Sequence, residues 1–423
     1  MMKRIAFLSL FVWALMMPLS SVHATNGDNI IGVGPIARSM GGVGIASPQD
    51  AISAVFANPA AMCFGPYCPS SEFNFAATGF KPDVSAKIKL PGQTIEADSD
   101  EKVYPIPAIG ISSPITEGVP FWRFGIAAYG VTGLGVDYKG TTLDQPGFYD
   151  FGPAGKYPLA SGTYTELQIM KFAPSIAFQP FEKLSFGLAL HIDYGDLDLQ
   201  QGGSSGYALG VQGGIIYKAT DRLSLGVTYI TPQSITHENV TDFDGDGNYD
   251  SLKLESPQQA GIGVSYLFPG NWLMMEGDVK WLNWGSANGY EDFDWEDQWV
   301  FAVGAQFMPT SKLSLRLGYN YAKSPVNEHN GFNGMGSTNV QGKRIPNYYY
   351  ETFRIIGFPA VAEHHVTVGV GYQFTPTFSV NLGYMHAFSN TVTESGTNIA
   401  GQPVTLESTL SEDALDFGLT WRF

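Results

Sequence analysis

The residues whose spacing most clearly suggests chemistry form an acidic run, with carboxylates at Asp242, Asp244, Asp246 and Asp250 and a glycine directly after the third. Alternating oxygen ligands followed by a glycine turn are typical of calcium-binding loops, because Ca²⁺ takes about six to eight oxygens. The bidentate glutamate of a helical calcium loop is absent, since Lys253 stands at its position. We predict a short Asp-rich loop with structural Ca²⁺; a solvated acidic hairpin tip is the alternative.

The other reactive residues do not predict an enzyme. Gly32 and Gly34 could begin a dinucleotide-binding loop, but no strand precedes them and the third glycine is misplaced. His364 and His365 are adjacent, so on a strand they point to opposite faces and cannot bind one metal from one side. A Ser/His/Asp set could be assembled from any chain of this length, so a hydrolase is a minor alternative. We expect no catalytic residue and no required cofactor.

The composition is unusual for a water-soluble protein. The 423 residues include 50 Gly, 28 Phe and 21 Tyr, and 15% are charged, whereas globular domains carry about 25% charged residues. Few charges and many aromatic residues suit a membrane barrel whose wall alternates lipid-facing and lumen-facing side chains. The net charge of −16 leaves no basic surface for nucleic acid.

The first residues, 1–24, predict a secretory signal peptide. Two basic residues precede an apolar run over 5–17, and Val22 and Ala24 supply the small residues of a cleavage site. A membrane anchor is the alternative, but the run is too short to cross ~30 Å of hydrocarbon as a helix. We expect the mature, exported chain to begin at Thr25.

Export bears on the two cysteines, Cys63 and Cys68, which flank a Gly65-Pro66 turn. Close cysteine pairs in oxidising compartments usually form disulfides. We predict a Cys63–Cys68 disulfide that staples a small loop. A metal-binding pair is the alternative, although no second ligand pair stands nearby.

The C-terminal residues 413–423 predict an amphipathic strand. Apolar residues occupy every second position from Leu415 to Phe423, and polar residues or glycine stand between them. A period of two is the pattern of a strand with one apolar face. The terminal Phe423 is similar to the signal read by the outer-membrane barrel-assembly machinery.

The lengths of the connections between predicted strands indicate a β-structure along the whole chain. Fourteen predicted strands include 222–235 and 252–268, on either side of the acidic run. Every second connection in the later chain is tight, as at 269–270, and most others are long, as at 322–361. This alternation is typical of outer-membrane barrels, whose closure also removes open sheet edges. We predict an all-β fold in which residues 71–423 form a transmembrane antiparallel barrel of about 14 strands, with both termini periplasmic.

Residues 25–70 do not show this alternation of strands with short and long connections. They are rich in glycine and small residues and contain Asn58-Pro59-Ala60. Glycine permits close backbone approach and turns with positive φ, which a compact segment inside a lumen requires. We predict that residues 25–70 form an internal plug, or hatch.

Ordered short motifs carry a family resemblance. They run from Ile30-Ile31-Gly32 through Asn58-Pro59-Ala60 to Trp281-x-x-Trp284, Leu315-Arg316-Leu317-Gly318-Tyr319 and Gly369-Val370-Gly371-Tyr372. Their order and spacing resemble the outer-membrane transporter family for long-chain fatty acids and toluene (FadL/TodX-like). The likeness spans the mature chain.

The resemblance implies passive transport of hydrophobic small molecules, either long-chain fatty acids or aromatic and alkane hydrocarbons. A ligand would pass beside the hatch and leave sideways into the lipid, through an opening at a kink in the third strand. The short connection at 200–205 departs from fatty-acid members that carry a long capture loop there, so capture would use the aromatic segment 348–358. The residues implied are Asn58, Pro59 and Ala60 for the hatch and Gly130, Gly133 and Gly135 for the kink.

The predicted cargo and partners follow from the family resemblance and from the strand pattern. A carboxylate cargo requires a basic anchor, and alternation places Arg316 and Arg422 on the lumen side, so Arg316 is the candidate. We expect a monomer that contacts its hydrophobic ligand, outer-membrane lipid and lipopolysaccharide in a Gram-negative bacterium, and the assembly machinery through Phe423. A general porin or a structural barrel is the alternative function, and neither needs a plug.

Overall fold

The computed structural model describes residues 25–100, 103–144, 164–199, 203–244 and 248–423. The predicted signal peptide lies outside these residues. No helix among them is long and apolar enough to cross a membrane. The strands are β1 (Glu72–Leu90), β2 (Gln93–Asp98), β3 (Tyr104–Pro114), β4 (Phe121–Asp137), β5 (Tyr164–Phe181), β6 (Leu184–Asp198), β7 (Gly203–Lys218), β8 (Leu223–Ile230), β9 (Gln233–Thr241), β10 (Asp250–Ser256), β11 (Gln259–Leu267), β12 (Leu273–Leu282), β13 (Gln298–Phe307), β14 (Leu313–Ala322), β15 (Ser337–Val340), β16 (Lys343–Pro346), β17 (His364–Thr375), β18 (Phe378–Thr397) and β19 (Pro403–Arg422).

The predicted fourteen-stranded antiparallel barrel is confirmed. Its strands are β1, β3 to β8, β11 to β14 and β17 to β19, and β1 pairs with β19 to close it. This closing ladder runs from Glu72–Arg422 to Lys89–Thr405. This pairing joins the first and last barrel strands, which would otherwise be open edges of the sheet. At one end of the barrel the connections are short, at 115–120, 182–183, 219–222, 268–272, 308–312 and 376–377, and the long ones lie at the other end, which we call the outer end.

The last strand, β19, shows how side chains sort across the wall. Leu415 and Trp421 are 65% and 51% exposed on the outside, whereas Asp416 is buried inside. In its first half the alternation reverses: Leu406 and Leu410 are buried inside, and polar residues face out. The strand is therefore longer than the predicted 413–423, because its outer half leaves the apolar zone and changes phase.

Two predicted strands, 222–235 and 252–268, are wrong at their adjoining ends. β8 stops at Ile230 and β11 starts at Gln259, and the residues between them form a separate hairpin, β9–β10. Pro232 and Pro257 stand at the two breaks. Proline has no N–H to give to a ladder, so it ends the barrel strand at each place.

Short helices occur in three regions, one of which is a single 3₁₀ turn (Trp284–Ser286) after β12. Residues 25–71, which we call the hatch segment, contain α1 (Gly34–Arg38), α2 (Ala51–Ala57) and a 3₁₀ turn (Pro59–Cys63). The connection 323–363 contains the hairpin β15–β16 and then α3 (Asn347–Thr352), which continues as one π-helical turn (Phe353–Gly357).

The hatch segment lies inside the barrel. α1 packs against β1, β17, β18 and β19, α2 against β1, β3 and β4, and the 3₁₀ turn against β4 to β7. The wall approaches it closely, which explains much of the glycine content. A Cβ would stand 3 Å or less from hatch atoms at Gly110, Gly187, Gly214, Gly226, Gly263, Gly304, Gly318, Gly369 and Gly418.

Candidate functional site: a cavity at an open barrel seam

Asn58 fastens the hatch segment to the wall. Its side-chain amide donates hydrogen bonds to the carbonyls of Ile45 at 2.8 Å and of Ile215 and Val227 at 3.2 Å. Its oxygen accepts the N–H of Ala60 at 3.1 Å, which starts the 3₁₀ turn at Pro59. The predicted hatch motif Asn58-Pro59-Ala60 is therefore buried between the hatch and strands β6 to β8.

Wall carboxylates hold the rest of the hatch segment. Asp278 accepts the N–H groups of residues 44 and 45, and Glu276 those of residues 46 and 47, at 2.8 to 3.2 Å. Arg38 forms a buried ion pair with Asp416 at 2.6 Å. Sequence reasoning missed these anchors. Their signal was the Glu276-x-Asp278 spacing, which places two acids on one inward face of β12.

The seam between β3 and β4 is open over its outer half. Within the described chain the two strands pair up to Ala108 and Tyr129 and no further, although β4 continues to Asp137. Just beyond that pair β4 has a bulge at Val131, where its register with β5 shifts. The Val131 carbonyl accepts the N–H of Ile30 at 3.1 Å, so the hatch segment supplies part of the missing ladder.

Two prolines explain why β3 does not continue the pairing. Pro105 and Pro107 lie in the outer half of β3, where they are aligned with Gly79 and Ala77 of β1. Neither can donate a hydrogen bond, and proline inside sheets is confined to edges and bulges. The open seam is thus encoded in both of its strands.

A cavity of about 580 Å³ lies at the open seam, within the range of roughly 300–1,000 Å³ typical of small-molecule sites. The hatch segment forms one side, through Thr25, Asp28 and Ile30. The unpaired halves of β3 and β4 form the side toward the lipid. Most other lining side chains are apolar and include Phe80, Val84, Ile106, Leu134, Leu167, Ile169, Met170 and Leu410.

The predicted kink glycines all line this cavity, but their surroundings differ. A Cβ on Gly130 would stand 2.7 Å from the Ile106 side chain across the seam. One on Gly135 would stand 2.6 Å from the Thr165 carbonyl oxygen of β5. A Cβ on Gly133 would have no atom within 4 Å apart from its chain neighbours. Gly130 and Gly135 therefore permit close packing, whereas Gly133 leaves space open.

Aromatic side chains of the outer connections reach the hatch segment. Trp284, Tyr290 and Trp295 pack with ring centroids 4.6 to 5.1 Å apart, and Phe358 lies 5.9 Å from Trp295. The Tyr290 hydroxyl donates a hydrogen bond to Asp28. Burial raises the pKa of Asp28 to about 7. The loops are thus tied to a residue that lines the cavity.

Buried ion pairs fix the connection 323–363. Arg354 donates to Glu351 at 2.6 Å and to Glu394 of β18 at 2.8 Å. His329 lies 2.9 Å from Glu351 and 2.6 Å from Asp294, and the hydrogen bond with Glu351 raises the pKa of His329. The aromatic segment 348–358, expected as a capture surface, is buried against this network, because its side chains form the core of the loop.

The candidate anchor Arg316 lies away from the cavity. It lines a different space, beside the short connections 268–272 and 308–312. It is 5% exposed, and its guanidinium donates to Gln306 at 2.7 Å and to Asn381 at 3.0 Å. The structure therefore does not bring Arg316 together with the hatch motif and the kink glycines.

The predicted Cys63–Cys68 disulfide is not formed, and both thiols are free. The Cys68 thiol donates to the Met62 carbonyl at 3.0 Å, and the Cys63 side chain is buried. Arg123, which is completely buried, lies 3.6 Å from the Cys68 sulfur. The Cys68 thiol is directed to a carbonyl and to Arg123, which the local Gly-Pro turn does not reveal.

The acidic run lies at the tip of the β9–β10 hairpin. Asp242, Asp244 and Asp250 place carboxylate oxygens within 4.8 Å of one another, and Asp246 lies outside the described residues. Lys343 stands 2.5 Å from Asp250 and 4.0 Å from Asp244. The oxygen set fits Ca²⁺ in kind, but the ammonium group competes for it.

The paired histidines behave as predicted for adjacent strand residues. His365 is fully buried on the inner face. His364 is turned to the other face, 2.5 Å from the Tyr319 hydroxyl. They do not form one metal site.

Comparison with known proteins agrees with this architecture. A family model described as "Outer membrane protein transport protein (OMPP1/FadL/TodX)" matches residues 198–332. The toluene transporter TodX of Pseudomonas putida is 18% identical with a TM-score of 0.65, covering 93% of this chain and 99% of its own. A FadL homologue of Pseudomonas aeruginosa is 16% identical with a TM-score of 0.67, covering 96% and 100%. The toluene transporter TbuX of Ralstonia pickettii is 17% identical with a TM-score of 0.59, covering 93% and 98%.

No curated protein matches the sequence significantly. At identities below one fifth, the solved structures establish the fold. Fold and interior together define the class, a closed β-barrel of the outer-membrane type with its N-terminal segment inside the lumen. The predicted resemblance to the FadL/TodX outer-membrane transport proteins is confirmed by the family model over residues 198–332 and by the shared fold.

Proposed function

We propose that this protein transports hydrophobic small molecules passively and releases them sideways into the outer membrane through the open β3–β4 seam. The observation that carries the proposal is the cavity of about 580 Å³, which both unpaired strand halves line. Relatives with the same fold are named as toluene transporters and as a FadL homologue. They support a hydrophobic cargo of the hydrocarbon or the fatty-acid class.

The route requires no energy source. The free energy of a hydrophobic molecule falls when it leaves water for an apolar cavity, and it stays low when the molecule passes into lipid. An exit through the wall spares it the aqueous periplasm. Gly133, Pro105 and Pro107 line the cavity in the unpaired part of the wall, so they mark this exit.

A general porin is the alternative, and the hatch segment argues against it. Asn58, Glu276 and Asp278 hold that segment across the lumen through hydrogen bonds to its backbone and its 3₁₀ turn. A porin conducts polar solutes through an aqueous lumen, whereas this lumen is filled by buried residues. We propose that the segment acts as a hatch.

The orientation follows from the ends of the chain. Ser71 and Phe423 exchange backbone hydrogen bonds of 2.9 and 3.0 Å at the end with short connections. Periplasmic turns are short in such barrels, so we place the C-terminus and the start of β1 there, in a monomer, whereas Thr25 lies in the lumen beside the seam cavity. Phe423 is 69% exposed and accessible to the assembly machinery.

A reversible crosslink across the open seam tests the exit. The Cβ of a residue at 130 would stand 4.0 Å from the Cβ of Ile106, within the range of about 3.5–4.5 Å that disulfides adopt. We expect Ile106→Cys with Gly130→Cys, in a Cys63→Ser, Cys68→Ser background, to lose uptake of labelled toluene and oleate when oxidised. Reduction should restore uptake, because only the seam is closed.

The matched control places the crosslink on a closed seam. Leu188 and Gly213 are paired neighbours on β6 and β7, and Leu188→Cys with Gly213→Cys should transport equally well when oxidised or reduced. Wild-type uptake of both compounds through the oxidised 106–130 crosslink would rule out the lateral exit.

A further inference from the structure

A second cavity lies at the end of the barrel that has the short connections. Its volume is about 500 Å³, again within the range of roughly 300–1,000 Å³ typical of small-molecule sites. We call it the inner pocket. Its walls are the connections 268–272 and 308–312, the strands β13, β14 and β17 to β19, and Ile36, Gln49 and Pro66 of the hatch segment. A ligand in this pocket would contact both the hatch segment and the wall.

The charged residues that line the inner pocket are all basic. They are Lys312, Arg316 and Arg422, and no Asp or Glu lines it in the described parts of the chain. Such a lining is unusual in a protein whose net charge is −16. Neutral polar side chains, including Ser379 and Asn381, lie beside the three cations. The inner pocket therefore offers positive charge and hydrogen-bonding groups to a ligand.

Arg316 is a buried cation without an ion-pair partner. It is 5% exposed, and its Nε and Nη1 donate to the neutral side chains of Gln306 and Asn381. No carboxylate of the described residues lies within 4.0 Å of its guanidinium. Its Nη2 has no partner among those residues and is not closed off from the cavity. Buried charges in proteins are usually paired, so this guanidinium is suited to an anion from outside the chain.

The position of this guanidinium depends on a glycine of β17. A Cβ at Gly371 would stand 2.9 Å from Nη1 and 3.1 Å from Nη2 of Arg316, and 2.3 Å from the side-chain oxygen of Asn381. Glycine permits this close approach. Any larger residue at 371 would displace the guanidinium, so the backbone of β17 is adapted to hold it at the inner pocket.

Arg422 adds a second guanidinium with free donors. Its Nε is paired with Glu72 at 2.8 Å, and neither Nη group has a partner among the described residues. Asp50 is the other carboxyl group near the two arginines, and it accepts the N–H of Ser53 at 2.8 Å to cap α2. Glu72 and Asp50 are buried and do not line the inner pocket. With Lys312, three cations stand against these two acids, which leaves charge for an anion.

We propose that the inner pocket binds a small, water-soluble oxyanion, a phosphate or a carboxylate, through Arg316 and Arg422. Guanidinium groups bind both kinds of oxyanion with paired N–H donors. The lining residues face the lumen, so the anion comes from the water at the periplasmic end and not from a lipid head group outside the wall. This site is separate from the seam cavity and goes beyond the proposed transport.

Calorimetric titration of inorganic phosphate and of succinate into the full protein, in a nonionic detergent, tests the proposal. Chloride is the only other anion, and its concentration sets the ionic strength. We expect one site with a Kd below about 1 mM for at least one of the two anions. Added sodium chloride should weaken binding, because salt screens partly exposed charges. The anion that binds more tightly assigns the site to phosphates or to carboxylates.

Substitutions in the inner pocket separate charge from shape. Arg316→Gln should weaken binding at least about tenfold, because it removes a charged donor, and Arg316→Lys should weaken it less. Ser379 is half-buried and lines the inner pocket, so Ser379→Asp introduces a negative charge and leaves both arginines unchanged. It should also weaken binding at least about tenfold. Ser379→Asn adds a side chain of the same size without the charge and should weaken binding far less.

Lys183→Gln is the control for overall charge. It removes a cation from the short connection 182–183, at the same end of the barrel but outside the inner pocket, and it should leave the affinity unchanged. Heat-modifiable migration verifies that each variant is folded.

Three results would overturn the assignment. They are no binding of either anion to the wild-type protein, wild-type affinity in Arg316→Gln, and equal losses in Ser379→Asp and Ser379→Asn. Each of them leaves the proposed transport standing, since the inner pocket and the seam cavity have no lining residue in common.

Discussion

The β3–β4 seam and the β6–β7 seam are built from similar residues, but only the second is paired along its whole length. β6 and β7 pair without a break from Leu184–Tyr217 to Asp198–Gly203, whereas β3 and β4 separate beyond Ala108–Tyr129. Both seams are rich in glycine, and the intact strand β7 includes Gly206, Gly210, Gly213 and Gly214. Glycine alone therefore does not open a seam. The open seam differs in the prolines of β3 and in the backbone bond from the hatch segment.

The glycines of the two seams also have different neighbours. Gly195 and Gly206 are paired across the closed seam, and the Ile235 side chain of the β9–β10 hairpin packs on both. A Cβ at either position would stand 2.6 or 2.7 Å from Ile235. Gly133 of the open seam faces empty space. The pair Gly195–Gly206 thus makes room for the Ile235 side chain in the closed seam, whereas Gly133 leaves space open in the other.

The largest effect on stability should come from truncating the side chain that packs on Gly195 and Gly206. Ile235 is 1% exposed, so Ile235→Ala should lower the free energy of unfolding by about 2–5 kcal/mol, as for other buried Ile→Ala changes. Ile106→Ala at the open seam should cost less than half as much, because that side chain already borders a cavity. Urea unfolding in lipid vesicles measures both. Equal losses would mean that the two seams are packed alike.

The sequence predicts the barrel well because its signals are local. The period of two in β19 and the alternation of short and long connections specify strand count and closure. The signals fail where the context changes along one strand. Pro232 and Pro257 break the two strands around the hairpin, and the outer half of β19 reverses its phase above the lipid.

The site is harder to predict from the sequence, because the residues that form it are far apart in the chain. Asn58 could be assigned to the hatch from its motif, but Asp278 looks like any lumen-facing acid until residues 44 and 45 lie against it. Gly133 and Gly213 both lie in glycine-rich strands, and only the pairing partner decides which one borders a cavity. The disulfide prediction was wrong because Arg123, far along the chain, contacts Cys68.

Those two glycines provide the next prediction. Both have free space where a side chain would stand, so leucine fits at either position without displacing backbone. We expect Gly133→Leu to fill the cavity mouth and to lower uptake of labelled hydrophobic cargo by about tenfold, equivalent to ~1.4 kcal/mol. Gly213→Leu, which projects from the closed seam, should transport normally. A fall of similar size in both variants would trace the defect to folding, which heat-modifiable migration detects.

The smallest effect concerns the hairpin that covers the closed seam. We propose that Ca²⁺ binds at its tip and steadies it, since Asp242, Asp244 and Asp250 offer oxygens within 4.8 Å of one another. Lys343 lies 2.5 Å from Asp250 and must yield to the cation, so the affinity should be near the weak, millimolar end of such loops. At millimolar Ca²⁺ the gain by mass action is then small, and we expect protease to cut the hairpin about threefold more slowly than with chelator. Asp244→Asn should abolish the difference, whereas the exposed Glu238→Gln on β9 should preserve it. Cleavage at one rate with and without Ca²⁺ would show that Lys343 alone neutralises the acidic tip, and that the closed seam is covered without help from a metal.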